Sequence, residues 1–475
     1  MSTPSKHTDT TSAAPRVTSV PHHTSFAEIG RLVWPQALMM LCQFLVGIIA
    51  VTVAGHINPH VQAAFGFITQ CLFFLLVVGV AIANGGVAAM SQALGAKLPL
   101  RATRYVGLLV KASLGLGIIF LLCAYVGRHG LMWLLQVPDD IRPLTLELWS
   151  IFLFAIPAQL FTTMSMAIFR SRKEVFIPLL VSIVVCIINV FGDLGLGLGM
   201  FGMPRLGGKG IVISSIAALY SGAFINVCFL LRRGILGRQS FAPFRWESKA
   251  LPYVAKVALP SGGLQVLWQL GYMLLFSITA TLPFGSIDAV AGLTVGLRIE
   301  GMMFLPTMAF SATAAILVGH SLGAGNKAEA KYIGLKVVGG GVLFMSTIGV
   351  ILYQFIPEMS ALVAQDSAVR VIAAQYLHYN IMAVPFTAVS MVISGIMTGA
   401  GANLYTLFIY SGATWFVRLP LAWYLGHYVF QDASGVFMAM LVSQVVQASS
   451  AIFVLLRCDW YRFSSTAKRY SRGIA

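Results

Sequence analysis

Residues 154–210 read FAIPAQLFTTMSMAIFRSRKEVFIPLLVSIVVCIINVFGDLGLGLGMFGMPRLGGKG. An uncharged apolar helix, a basic turn (Arg170, Arg172, Lys173) and a second apolar helix follow one another, and the second carries Asn189 and Asp193. An ionised carboxylate inside an apolar span is expensive, so Asp193 marks a functional position. Four residues apart on a helix, the two side chains share one face, where an amide oxygen and a carboxylate can ligand Na⁺ or share a proton. Counted from Val175 at 1.5 Å per residue, Asp193 lies about 27 Å deep, in the outer half of the span. The simpler role for it is a cap, or a contact with water, at an outer helix end. The glycine-rich run that follows permits close helix approach or water access to Asp193.

The rest of the chain has the same character. Of 475 residues, 58% are hydrophobic and 10% charged, and the mean hydropathy is +0.85. A soluble domain does not show this balance. Apolar segments long enough to cross about 30 Å of hydrocarbon recur without β-barrel alternation, so the spans are helices with internally satisfied backbones. Twelve can be drawn, over 32–55, 62–90, 105–126, 146–169, 175–199, 210–231, 252–281, 289–318, 332–356, 371–399, 405–426 and 435–456. The sequence predicts an all-α polytopic membrane protein. Residues 1–25 form a polar tail, expected to be disordered, whose His7, His22 and His23 are too scattered for a metal site. No cleavable signal peptide is expected there. The cysteines Cys42, Cys71, Cys123, Cys186 and Cys228 lie in apolar runs, with Cys458 just beyond the last one, and they read as small hydrophobes rather than a disulfide framework.

The net charge of +16 is distributed by side. With the amino terminus inside, the inner segments hold Arg31, Lys97, Arg101, Arg104, Arg170, Arg172, Lys173 and the basic runs around Arg232, Lys327 and Arg457. The opposite side holds only Arg128, Arg142, Arg205, Lys209 and Arg370. This asymmetry places both termini in the cytoplasm. It reflects topology and anionic lipid rather than a nucleic-acid partner.

Residues 232–251 supply Arg, Gly, Ser and Pro without apolar periodicity, and they divide the chain into bundles of six spans, 26–231 and 252–456, before a basic tail over 457–475. The halves repeat. Leu94-Gly95-Ala96 recurs as Leu322-Gly323-Ala324, and Ala155-Ile156-Pro157 as Ala383-Val384-Pro385, both at an offset of 228. With an even number of spans in each half, the repeats are parallel, related by an axis along the membrane normal.

Other polar residues interrupt the spans. Arg298 and Glu300 lie deep in the eighth, and two residues apart on a helix they point about 200° from each other, so each needs a partner elsewhere. Arg418 is a candidate partner for Glu300, which reads either as a second cation- or proton-binding carboxylate or as part of a structural network. Gln43, Gln70, Gln92, Gln159, Gln265 and Gln269, with Arg298 and Arg418, are candidates to line a wet cavity or bond between helices. Pro35, Pro157, Pro260, Pro306 and Pro385 can kink spans, and the first three and Pro385 are hinge candidates. Lys111, Lys256 and Lys336 sit close enough to inner helix ends to snorkel. No Walker loop, HExxH spacing or nucleophile elbow is present, so no enzymatic activity, ATP hydrolysis or cofactor is expected.

Several stretches resemble the multidrug and toxic compound extrusion (MATE) family over nearly the whole chain after the tail. They are WPQALMMLCQFLVG ending in AGH, SQALGA, FAIP, IINVFGD, PRLGGKGIVISS, GLRIEGMMFLP leading to VGHSLGAGN, and VPFTAVSMVISGIMTGAGA. The resemblance implies two six-helix bundles around a central cavity that opens alternately to either side. It implies a monomeric antiporter of the plasma membrane, in bacteria the inner membrane, exporting amphipathic, often cationic, small molecules in exchange for H⁺ or Na⁺. The family's first-lobe cation site falls on Asn189 and Asp193, and its sixth-helix hydroxyl position on Ser215. The chain departs from the family where Ala50 replaces a first-helix Asp, and where Gln265 and Gln269 follow the seventh-helix proline in place of an acidic residue. With one carboxylate fewer, proton coupling through Asp193, with Glu300, is expected ahead of a carboxylate-rich Na⁺ cage. The alternative within the wider superfamily is a flippase of lipid-linked sugars, whose pyrophosphate cargo calls for a strongly cationic cavity.

Overall fold

The computed structural model describes residues 25–363 and 366–465. The expectation of a disordered tail falls on residues 1–24, outside the described residues, as do Lys468, Arg469 and Arg472 in the basic tail. No strand occurs among the described residues.

The first lobe consists of α1 (Phe26–Ile57), α2 (Pro59–Gly95), α3 (Pro99–Val126), α4 (Arg142–Ser171), α5 (Phe176–Gly197) and α6 (Gly208–Arg232). The second consists of α7 (Phe244–Ala280), α8a (Ser286–Met303), α8b (Leu305–Gly323), α9 (Lys327–Tyr353), α10 (Ser367–Ala400), α11 and α12 (Ala433–Arg457). Helix α11 begins as Asn403–Gly412 and passes through π-helical turns at Ala413–Arg418 and Leu425–Val429. Local chemistry sets several starts. The Ser25 side chain accepts from Ala27 N, Asn58 from His60 N and Asp432 from Ser434 N, each satisfying an orphan donor of a first turn. Pro59 and Pro99 open α2 and α3, where the missing N–H has no intrahelical partner to lose.

Two expectations about elements are corrected. The eighth span is two helices broken at Phe304, with Pro306 in the first turn of α8b, where its missing N–H costs no intrahelical bond. The inter-lobe connection is shorter than 232–251, because α7 already begins at Phe244. The segment before it packs down on α3, a Cβ at Gly107 coming within 1.9 Å of the Ser240 carbonyl. Trp246 meets the Tyr105 ring edge-on and Glu247 pairs with Lys111 at 2.6 Å. Lys256 and Lys336 lie over the Phe463 and Phe26 rings.

The apolar core has four parts, and their membership fixes the shape. Two mix residues of both lobes, as where Leu32 and Val175 pack with Leu317 and Ile396, or Met90 and Phe169 with Val254 and Ile316. The other two each stay within one lobe. The mixed clusters lie at the ends of the helices nearer the described chain ends, so the lobes join there and part at the opposite ends.

The join is pseudo-symmetric. A Cβ on Gly95 would fall 2.0 Å from the His320 carbonyl oxygen, and one on Gly323 would fall 2.1 Å from that of Gln92. Gln92 Nε2 donates to the Gly399 carbonyl at 2.8 Å, while His320 Nε2 lies 2.8 Å from the Ser171 carbonyl, which can only accept, so that nitrogen carries the proton. Glycine pairs with glycine, Gln92 with His320 and Ser171 with Gly399 at the offset of 228 found in the sequence. Ser91 and Gly319, also so related, face each other directly.

Residues after α12 complete the join. Gln92 Oε1 accepts from Tyr253 at 3.0 Å and from the Ser465 backbone N–H at 2.8 Å. Trp460 is fully buried, its indole N–H donating to Leu455 O at 3.1 Å. Trp460→Ala should therefore lower the stability of the folded protein by about 3–5 kcal/mol, read as a reduced melting temperature of the detergent-solubilised protein.

Candidate cation site and central cleft

Helix α5 is α-helical to Gly192 and turns π-helical over Asp193–Gly197, a local widening frequent at functional sites. Glycines let α6 come close to it. A Cβ on Gly192 would meet Ser214 Oγ at 2.6 Å, and one on Gly210 would meet the Leu196 carbonyl at 2.2 Å. Asp193 is wholly buried. Ser214 Oγ lies 2.7 Å from Asp193 Oδ1 and 3.0 Å from the Asn189 carbonyl. A hydroxyl has one hydrogen, so it serves one of these acceptors at a time. Asn189 Nδ2 donates to Ser215 Oγ at 3.2 Å. Asp193 Oδ2 and Asn189 Oδ1 are buried without a hydrogen-bond partner.

The site therefore joins Asn189, Asp193 and Ser215 with Ser214, which the sequence reading missed. The family resemblance picks out Ser215 and passes over its neighbour; both are used, Ser215 on the Asn189 amide and Ser214 on the Asp193 carboxylate. Leaving a buried carboxylate with one donor and a bare oxygen is costly. A proton on Oδ2, or a cation held between the two bare oxygens, removes that cost. Ala50 is partly buried in the first lobe's outer apolar cluster and brings no oxygen. Ser214→Ala should lower the stability of the folded protein more than Ser215→Ala, because only Ser214 donates to the buried carboxylate; parallel thermal melting of the two variants checks this.

In the second lobe Glu300 is buried and accepts a hydrogen bond from the Tyr376 phenol. Beside it lies a void of about 10 Å³, also bordered by Asn380 and Gln444, room for about one water molecule. Arg418 is fully buried, donates from Nε to Ser443 Oγ at 2.8 Å, and lies over the Trp268 and Tyr272 rings at 5.5 and 5.9 Å. It stays beyond ion-pair distance of Glu300 among the described residues. Arg298 is exposed, on the other side of its helix from Glu300.

Where the lobes part they enclose a cavity of about 760 Å³ lined by both, within the range that takes a drug-sized ligand. Gln43, Gln159 and Gln265 line it; Gln70, Gln269, Arg298 and Arg418 do not. Gln92 is buried in the join instead. Of the hinge candidates, Pro35, Pro260 and Pro385 lie inside helices, and Pro157 follows a 3₁₀ turn within α4. Gln36 and Gln444, at the cavity wall, are additions from the structure; Gln36 Nε2 crosses between lobes to Thr313 at 2.8 Å.

The described residues thus form a two-lobed helical bundle, duplicated in sequence, with a cleft between the lobes closed at one end. The chain belongs to the MatE family, whose model matches it twice, over residues 35–194 and 260–424, once in each lobe. It is 22% identical over 440 residues to the probable multidrug resistance protein NorM of Thermotoga maritima, covering 91% of this chain and 92% of that one. It is 25% identical over 425 residues to the multidrug resistance protein PmpM of Pseudomonas aeruginosa, covering 84% of each. Its fold superposes on a crystal structure of a mutant of the Vibrio cholerae MATE transporter VcmN with a TM-score of 0.84, covering 92% of this chain and 98% of that one at 19% identity.

Proposed function

We propose that this protein is a secondary antiporter that exports amphipathic small molecules in exchange for H⁺ or Na⁺. It works as a monomer in the plasma membrane, the inner membrane if the host is bacterial, with both ends on the cytoplasmic side. The observation that carries the reading is Asp193, wholly buried in a transporter fold with one oxygen bonded and one bare. With the positive-inside orientation, the cleft opens outward and the Gly95–Gly323 join closes the cytoplasmic side. In this state Asp193 takes up H⁺ or Na⁺ from outside. Occupancy changes which groups the carboxylate can bond, Ser214 included, and thereby biases the π-helical stretch of α5 and the packing of α6 on it. An ion that binds the two conformations unequally shifts their populations, and by linkage it weakens the hold on cargo in the outward state.

Proton coupling is favoured over sodium. The site offers one carboxylate, Ala50 standing where the family resemblance implies a second, and a single proton on the bare Oδ2 of Asp193 relieves it. Glu300, in contact with Tyr376 and next to a water-sized void, is the candidate second-lobe carboxylate. The flippase alternative calls for a strongly cationic cavity, whereas the cavity lining carries one charged residue among those described, Arg170.

The test is transport by purified protein in liposomes with pH and Na⁺ gradients imposed separately, following panels of amphipathic anions, neutral compounds and cations. Uphill movement driven by the pH gradient is the expected result. Movement of none of them under either gradient, with restoration of a lipid-carrier defect in cells, would establish the flippase instead.

A further inference from the structure

Helix α4 turns one face to the cleft, formed by Gln159, Thr162, Thr163, Met166 and Arg170, residues that fall on one side of a 3.6-residue helix. Arg170 stands at the closed end of this face, one residue before Ser171, whose carbonyl is held by His320. Its basic neighbours are neutralised elsewhere. Arg172 pairs with Glu174 at 3.4 Å and Lys173 with Glu28 at 2.9 Å. Arg170 enters no ion pair among the described residues, and its one protein bond is a long 3.4 Å contact from Nε to the Met166 carbonyl. Both Nη groups are left for another acceptor.

Among the described residues, no Asp or Glu lines the cavity. The two intramembrane carboxylates, Asp193 and Glu300, are turned into their own lobes. A cation entering the cleft thus meets a like charge and no opposite one, whereas an anion meets a guanidinium with an unused fork of donors, the geometry that takes a carboxylate or sulfonate in two parallel bonds. Around it Met39, Met40, Met166, Met308 and Met391 give a deformable apolar wall, suited to bodies of varied shape.

We propose that the cleft selects amphipathic organic anions, a carboxylate, sulfonate or sulfate carried on an apolar body, and that Arg170 receives the anionic group. This rests on the export reading above for its purpose, and it sets the cargo's charge opposite to the cationic one that the family resemblance implies. Binding tests it independently of transport. Radiolabelled taurocholate, an amphipathic sulfonate, and radiolabelled tetraphenylphosphonium, a bulky cation, are titrated onto wild type and the Arg170→Lys, Arg170→Gln and Arg170→Glu variants in lipid nanodiscs. Thermal melting checks that each is folded. Wild type should bind the anion at least tenfold more tightly than the cation. Arg170→Gln should weaken the anion roughly ten- to a hundredfold, the scale of a lost charge-assisted contact, Arg170→Lys should fall between Gln and wild type, keeping the charge but losing the paired bonds, and Arg170→Glu should invert the preference. Wild type that prefers the cation or binds neither, or a preference that folded Gln and Glu variants leave unchanged, overturns the assignment. Intact anion binding with no gradient-driven movement would strike the antiporter reading and leave this one standing.

Discussion

Asp193→Asn should abolish gradient-driven export while leaving cargo affinity within about threefold. Asparagine keeps the shape of the side chain and an oxygen for Ser214 Oγ, 2.7 Å from the present carboxylate, so packing between α5 and α6 survives. It cannot bind and release a proton, and it supplies no charge to a cation. Each monovalent cation moving inward at 100 mV provides about 2.3 kcal/mol, roughly a fiftyfold concentration ratio, and uncoupling forfeits all of it. In liposomes the steady-state accumulation of cargo should fall to near unity, while downhill exchange continues. Full uphill transport by the Asn variant would remove Asp193 from the mechanism. Glu300→Gln separates the lobes: an equal loss would give both carboxylates coupling roles, and retained coupling would leave Glu300 to hold α8a against α10 through Tyr376.

The second large effect is expected at the join. Gly95→Ala and Gly323→Ala each place a methyl group about 2 Å from a main-chain carbonyl oxygen of the other lobe, and a main-chain atom cannot rotate away. Relief requires the lobes to separate, at a cost of about 1–3 kcal/mol or more, which shifts the equilibrium away from the form closed at this join by roughly ten- to a hundredfold. Labelling of Ser91→Cys by an impermeant maleimide from the cytoplasmic side, in a background lacking the native cysteines, should rise accordingly. Gly339→Ala is the control, because nothing lies within 4 Å of its added carbon. Unchanged labelling in both seam variants would show that the contact does not hold the cytoplasmic side shut.

The twelve spans and the duplication were legible because their signals are long and repeated. Apolar runs of membrane length and a constant offset of 228 need no tertiary information. Asn189 and Asp193 stood out because a carboxylate is rare in such surroundings and a four-residue spacing puts two side chains on one helix face. What the sequence could not show depends on where one helix meets another. The family resemblance pointed to Ser215 alone, and Ser214 enters only because the Gly192 contact and the π-helical turn set the register of α5 on α6. Arg170 read as one more member of a basic inner turn with Arg172 and Lys173. Only the folded chain separates it, by pairing its neighbours with Glu174 and Glu28 and pointing it the other way. The break at Phe304 escaped notice because α8a and α8b are both apolar, and Pro306 is compatible with either a kink or a start.

The reciprocal contacts between Gly95 and His320 and between Gly323 and Gln92 have the geometry of an isologous interface, in which each patch meets its own equivalent. A half-length chain bearing this helix end could close on a second copy of itself through the same bonds, with no linker. Positions 92 and 320 are where the two copies have diverged. Each still reaches the other half's carbonyl, one with an amide and the other with an imidazole. Gln92 alone also has an oxygen to receive Tyr253 and Ser465. The two sides of the seam therefore make the same kind of cross-lobe bond, while only one of them also ties down the chain beyond α12.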